Sequence, residues 1–284
     1  MTIRFLILLM ALPATVCAVM AGEWPAHSVV KDGSKSPDGR YVILVPDLAY
    51  YLADPAHPHE ASDYLADIKA HKVLGVIGGS YEPGRINDHT NVIWSPDSSR
   101  FVIAGGVRWW LEVLDLVGIE PSGVKHTNLL GPVSDKIDKI SKELEDRGAC
   151  LRFDGDVLRI VCSADDNPKA LADRETHRAV FIGSYDLKGG KWIFSQARKI
   201  SNKQGEALDS WVWLWEPRGN MKAPTPDQKL NAAYQVLRAL MPPDRFAHLR
   251  QEQRAWLAAA GSGVKEDARV KERIAVLERM LWAL

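Results

Sequence analysis

Cysteine is almost absent: the 284 residues contain three, and one of these, Cys17, lies in an apolar N-terminal stretch. So few thiols exclude a disulfide-dense scaffold. Net charge is absent as well, since 36 Lys and Arg balance 36 Asp and Glu, and a chain without excess positive charge lacks the electrostatic footprint of a nucleic-acid binder. Long hydrophobic runs are missing too. The apolar run at positions 5–12 falls well short of the roughly 18 to 20 residues that cross a bilayer. There is no G-x-S-x-G elbow, phosphate-binding loop or dinucleotide glycine pattern, so no catalytic residue and no cofactor is expected.

The N-terminus reads Met1-Thr2-Ile3-Arg4, then the apolar run, then small residues up to Ala21. That is the pattern of a secretory leader. Residues 1–21 are therefore expected to be removed, with Val19 and Ala21 marking the cleavage site and the mature chain periplasmic or secreted without a transmembrane span. In such a compartment Cys150 and Cys162 are expected to form one disulfide. The runs 151–153 and 157–161 flank Asp154-Gly155-Asp156, which is turn chemistry between strands, and a hairpin would bring the thiols close. The alternative is a pair of buried thiols.

Between Trp24 and Pro217, β-rich runs alternate with Gly, Pro, Asp and Asn breaks, placing strands at 40–45, 72–77, 91–94, 100–104, 110–116, the cysteine hairpin, 178–185, 191–197 and 210–215. Short strands with regular turn signals predict a β-sandwich, barrel or propeller-like domain over residues 22–217. One helix is expected at 135–145, where Ile137, Ile140 and Leu144 recur at helical spacing, and a weaker one at 61–70. Glycines at 75, 78 and 79 are read as a strand-to-turn transition. After a Pro- and Gly-containing linker at 218–226, residues 227–284 read as three amphipathic helices, so the fold class is α+β. Thr225, Pro226 and Gln228 compose a capping box at the first of them. Its apolar face is Leu230, Ala233, Tyr234, Leu237 and Leu240. A second helix at 243–260 presents Phe246, Leu249, Gln253, Trp256 and Leu257, and a third at 264–281 presents Val270, Ile274, Leu277 and Leu281. Charge divides along the chain: residues 221–284 hold eleven Lys and Arg against seven Asp and Glu, which leaves the β-rich part of the mature chain acidic.

Two resemblances accompany these patterns. Ser36-Pro37-Asp38-Gly39-Arg40-Tyr41-Val42 is echoed by Ser95-Pro96-Asp97-Ser98-Ser99-Arg100-Phe101-Val102, with Trp94 ahead of it. This resembles the turn of TolB-type β-propeller repeats and implies propeller-like sheets. Leu230-Asn231 with Tyr234, followed by Leu249, Gln253 and Trp256-Leu257, resembles the helical domain of the LprI-type lysozyme-inhibitor family (DUF1311). The chain departs from that family in lacking cysteines around these helices and an Arg-Asp pair after Trp256-Leu257. The resemblance implies an exported, non-catalytic binding protein of the cell envelope whose partner is an envelope protein or a lysozyme-like enzyme.

Two further constellations stand outside these resemblances. Trp211, Trp213 and Trp215 would share one face of a strand, where they could stack on sugars or anchor a protein; this gives the alternative of a β-scaffold that binds peptidoglycan or another envelope component. The other reading of that stripe is a core seam under the helices. His57, His59 and Glu60 suggest metal chemistry, but the position four residues after His59 is Asp63 rather than a second histidine. No metal is expected, and a metal-dependent hydrolase is the third reading.

Overall fold

The computed structural model describes residues 24–47, 49–50, 62–78, 91–107, 110–142, 144–166, 177–215, 224–259 and 266–282. The expected leader, residues 218–223 of the expected linker and the loop holding His57, His59 and Glu60 lie outside the described residues. Within them the chain is α+β, with twelve strands in three four-stranded antiparallel sheets, each built from strands consecutive in sequence. The first sheet is β1 (Ser28–Val30), β2 (Tyr41–Pro46), β3 (Asp63–Asp67) and β4 (Lys72–Gly78). The second is β5 (Asn91–Trp94), β6 (Arg100–Val107), β7 (Trp110–Glu120) and β8 (Gly123–Asn128). The third is β9 (Leu144–Asp154), β10 (Val157–Asp166), β11 (Arg178–Asp186) and β12 (Lys191–Ile200). Five helices accompany them: α1 (Leu130–Asp138), α2 (Asn202–Trp215), α3 (Pro226–Leu240), α4 (Pro243–Ala258) and α5 (Glu266–Leu281). The described residues do not form a propeller.

The two Ser-Pro-Asp turns introduce β2 and β6. In the first, the Ser36 hydroxyl donates to Asp38 Oδ1 (2.6 Å) and accepts the Tyr41 N–H (2.9 Å), while Asp38 Oδ1 also accepts the Arg40 N–H (3.0 Å). The second repeats this with Ser95 on Asp97 (2.6 Å) and the Arg100 N–H on Ser95 (3.1 Å). Both turns pass through the left-handed region, at Gly39 (φ 72°) and at Ser98 (φ 59°). Glycine tolerates this freely; serine does so at a cost that local hydrogen bonds offset. The turns also join the first two sheets, because the Asp38 N–H donates to Ser98 Oγ (3.1 Å) and the Trp94 indole donates to the Ser34 carbonyl (2.9 Å).

The sheets pack face to face in chain order. Tyr41, Ile43, Leu65 and Ile77 of the first meet Phe101, Ile103 and Val117 of the second. Val102, Ala104, Leu114 and Leu116, on the opposite face of the second sheet, join α1 and the third sheet through Leu151, Leu158, Ile160 and Phe181. The other face of the third sheet, with Cys150, Val161, Val180 and Ile182, is covered by α2, α3, α4 and α5. A sheet buried on both faces needs apolar residues at successive positions, and β11 accordingly reads Ala-Val-Phe-Ile. The Gly75 position, within β4 rather than at its end, allows close approach, since a Cβ there would sit 2.6 Å from the Val124 side chain.

Several expectations are corrected. The 210–215 segment is helical: Ser201 and Gln204 form a second capping box (Ser201 N–H to Gln204 Oε1, 2.8 Å; Gln204 N–H to Ser201 Oγ, 3.4 Å), and Leu208 and Trp211 pack at helical spacing. The helical layer thus holds four helices rather than three. Residues 61–70 include strand β3, whose Leu65, Ala66 and Asp67 are all buried, so no alternation marks it. The helix expected at 135–145 instead begins at Leu130, where Asn128 Oδ1 accepts the Gly131 N–H (2.8 Å), and Leu144 opens β9.

The cysteine hairpin forms, but its disulfide does not. Asp154 pairs with Val157 across a two-residue turn, which sets Cys150 opposite Val161 and Cys162 opposite Ala149. Successive side chains alternate between faces, so Cys150 packs with the helices and Cys162 with the second sheet. No disulfide joins them. Alkylation of the unreduced, denatured chain is expected to label both positions, and reductant should change the unfolding free energy by less than about 0.5 kcal/mol, against roughly 3 kcal/mol for a bridge closing such a loop. Resistance of both thiols to alkylation until reduction would contradict this register.

Candidate functional site

The helical layer holds Leu230, Asn231, Tyr234, Leu249, Gln253, Trp256 and Leu257. Thr225 caps α3 as expected, its Oγ1 accepting the Gln228 N–H (3.2 Å) while Gln228 Oε1 accepts the Thr225 N–H (2.8 Å). Leu230, Ala233, Leu237 and Leu240 are buried along α3, and Val270, Ile274, Leu277 and Leu281 along α5. The α3 C-terminus is fixed by Gln204 Nε2 to the Ala239 carbonyl (2.7 Å) and Arg198 Nη2 to the Leu240 carbonyl (3.1 Å). These satisfy carbonyls that the helix itself leaves unpaired.

α4 is held more narrowly. Of its predicted face only Leu249 is buried. Phe246 meets the Tyr234 ring at 5.3 Å, Gln253 Oε1 accepts from Arg273 Nε (2.8 Å), and the Arg269 guanidinium lies 4.3 Å over the Trp256 ring while Nη2 donates to the Trp256 carbonyl. Tyr234, Leu249, Gln253 and Trp256 therefore join α4 to its neighbours. Asn231 is exposed, and Leu257, at the end of the motif, is 57% exposed. Residues three and four apart share a helix surface, so Leu257 adjoins Arg254, which in turn adjoins Arg250, both arginines being exposed. The result is a strip of two arginines ending in one exposed apolar residue.

Of the tryptophan stripe, Trp211 takes the seam position under the helices, from a helix rather than a strand. Trp211 is buried in the seam between the third sheet and the helices, edge-on to Trp282 with centroids 5.8 Å apart. Trp213 and Trp215 belong to the same helix, and positions 211, 213 and 215, which share a face in a strand, do not share one in a helix.

A shallow cleft of about 230 Å³ lies where the second and third sheets meet, lined by Arg100, Glu120, Lys125, Thr127, Tyr185 and Lys188 among others. Its cations are engaged: Arg100 Nη1 donates to the Leu187 carbonyl (2.9 Å), Lys188 pairs with Asp156 (2.6 Å) and Lys125 stands 3.8 Å from Glu120. Burial raises the Tyr185 phenol above its usual value, against the pull of a hydrogen bond with Thr127. The Arg100–Leu187 and Tyr185–Thr127 contacts tie the two sheets together.

No protein-family model, curated protein or solved structure matches this chain. The geometry alone therefore limits the chemistry. Among the described residues no three side chains of metal-ligating type converge. His177 Nδ1 lies 2.9 Å from Asp166 on a sheet and His248 Nδ1 lies 3.1 Å from Glu252 on a helix surface.

Glu278 of α5 is 3% exposed and meets Arg152 of β9. Burial pushes its carboxyl up to about 7, against the opposing pull of Arg152 and Lys229. Asp63 is raised to about 6 by burial, against Lys31. A carboxyl with a raised folded-state pKa holds its proton more tightly folded than unfolded, so its stabilising contribution is complete below the unfolded value and is lost as pH rises through the folded value. Stability should therefore increase by roughly 3–4 kcal/mol as pH falls from 7.5 to 5, and Glu278→Gln should flatten more than half of that slope. Denaturant titrations across this range measure it; stability that declines steadily from pH 7.5 to 5 would contradict the assignment.

Proposed function

We propose that this chain is an exported, non-catalytic binding protein of the cell envelope, with a lysozyme-like muramidase as the partner class its helical motif implies. The carrying observation is the division of labour within that motif. Tyr234, Leu249, Gln253 and Trp256 hold α4 in place, and the motif's last residue, Leu257, is left 57% exposed one helical turn from Arg254. An exposed apolar residue on a braced helix is suited to binding, because little conformational freedom is lost on contact. Export rests on the leader pattern of residues 1–21. No helix among the described residues is long and apolar enough to cross a membrane.

Electrostatics assigns the surfaces different roles. Lysozymes of host defence are generally basic, so the arginines of α4 would repel one, and the acidic sheet region would steer the encounter. Inhibition of a basic muramidase by the full chain is accordingly expected to be measurable at low ionic strength and to weaken as salt approaches the physiological range. Leu257→Ala should weaken it about tenfold through loss of an apolar contact, with no change in thermal midpoint because the residue is exposed. A turbidity assay of cell-wall lysis, run on both proteins at two salt concentrations, tests this. No inhibition at either salt would sink the muramidase reading, and salt-insensitive inhibition indifferent to Leu257 would remove the roles given to charge and to α4.

A further inference from the structure

β12 is the outermost strand of the third sheet. β11 pairs one of its sides, and no described strand pairs the other. Open edges invite another strand, and proteins defend them with lysines, bulges or short strands. β12 has some of that defence. Its ten residues contain Lys191, Arg198 and Lys199 and no carboxylate, and Lys136 of α1 reaches the Ser195 carbonyl at 3.4 Å.

It also has a feature that defence does not require. The β11–β12 register shifts between Ser184 and Tyr185, which pair with Phe194 and Trp192, so Ile193 opposes no residue. Ile193 is 59% exposed and Phe194 is 40% exposed. By strand parity Phe194 shares a face with Arg198 and Ile200, which meet the helical layer, yet Phe194 is not covered. Two adjacent apolar side chains thus stand at one end of an open, regularly paired stretch running from Phe194 to Ile200.

The local charge selects the occupant. Arg198 is spent on the Leu240 carbonyl, and Lys191 stands opposite Asp186 in the register. Lys199 is exposed, and among the described residues no carboxylate forms an ion pair with it or with Lys136; Asp135 and Asp138 on α1 are the nearest acids in sequence to Lys136. A second copy of β12 would bring three more cations and no acid, so self-pairing is disfavoured.

We propose that β12 accepts an extended acidic peptide segment of a partner protein as an added strand, with apolar side chains against Ile193 and Phe194 and carboxylates against Lys199 and Lys136. Main-chain hydrogen bonds supply the affinity in this mode, and alternate side chains supply specificity. Lys136 must release the Ser195 carbonyl, which costs little because a 3.4 Å hydrogen bond is long.

The test uses the full-length protein and two short capped peptides, one alternating valine with glutamate and one alternating valine with lysine. Amide hydrogen exchange is expected to slow along β12 with the glutamate peptide and not with the lysine peptide. Lys199→Glu should weaken binding about tenfold at low salt, and Ile193→Ser should weaken it similarly, each without shifting the thermal midpoint. Absence of β12 protection, equal binding of both peptides, or protection confined to other surfaces would overturn the proposal. So would concentration-dependent self-association that protects β12, which would identify a second copy as the occupant. The result is separable from muramidase inhibition: protein that ignores lysozyme but binds the peptide refutes only that reading, and the reverse outcome refutes this one.

Discussion

The architecture depends on the register of one hairpin. Asp154 and Val157 close the β9–β10 turn, and every pair beyond follows from that closure as far as the irregularity at Ser163. The third sheet is buried on both sides, so its two faces must each match a different neighbour. A slip of one residue would send Cys150 and Val161 toward the second sheet and Leu158, Ile160 and Cys162 toward the helices. Small and large side chains would then meet the wrong partners in two cores at once, and close-packed interiors tolerate little of that.

With this register in place, the C-terminal helices are a layer of the fold, sharing a core with the third sheet. Val180 and Ile182 of β11, Trp211 of α2, Leu237 of α3, Leu249 of α4 and Leu277 of α5 belong to one buried cluster. Polar contacts cross the same boundary: Arg178 of β11 pairs with Asp209 of α2 (2.6 Å), and Arg152 of β9 meets Glu278 of α5. Helices of this length are marginal alone in water, and the sheet supplies the apolar surface they need. The narrow attachment of α4 follows from its place on the outside of the layer. It touches its neighbours along one stripe, which is why most of its surface remains for solvent or a partner.

How far the fold could be read from residues alone varied with how local the deciding interaction was. The Thr225–Gln228 box, the burial pattern of α5 and most strands of the second and third sheets were legible because caps, turns and periodicity act over a few residues. α2 carried the same kind of signal in Ser201 and Gln204, but the alternation Trp211-Val212-Trp213-Leu214-Trp215 imitates a strand and outweighed it. β3 was illegible because both its faces are buried, and β1, at three residues, is too short to show a period. The cysteine parity could have been counted from the two-residue turn; proximity along a hairpin was mistaken for a shared face. For the candidate site, the face of α4 was correct in direction but not in depth. A helical pattern names the residues that point one way, and only the neighbours decide that Leu249 is buried while Leu257 is not.

The claim that sheet and helices form one structure is tested most directly by native-state hydrogen exchange of the full-length protein. Cooperative units open together and reveal a common free energy. Slow amides of β10, β11, α3 and α5 are expected to exchange through one shared opening with the same denaturant dependence. An opening that releases α3 and α5 while leaving β10 and β11 protected would show instead that the helices are an independent unit docked on a self-sufficient sheet.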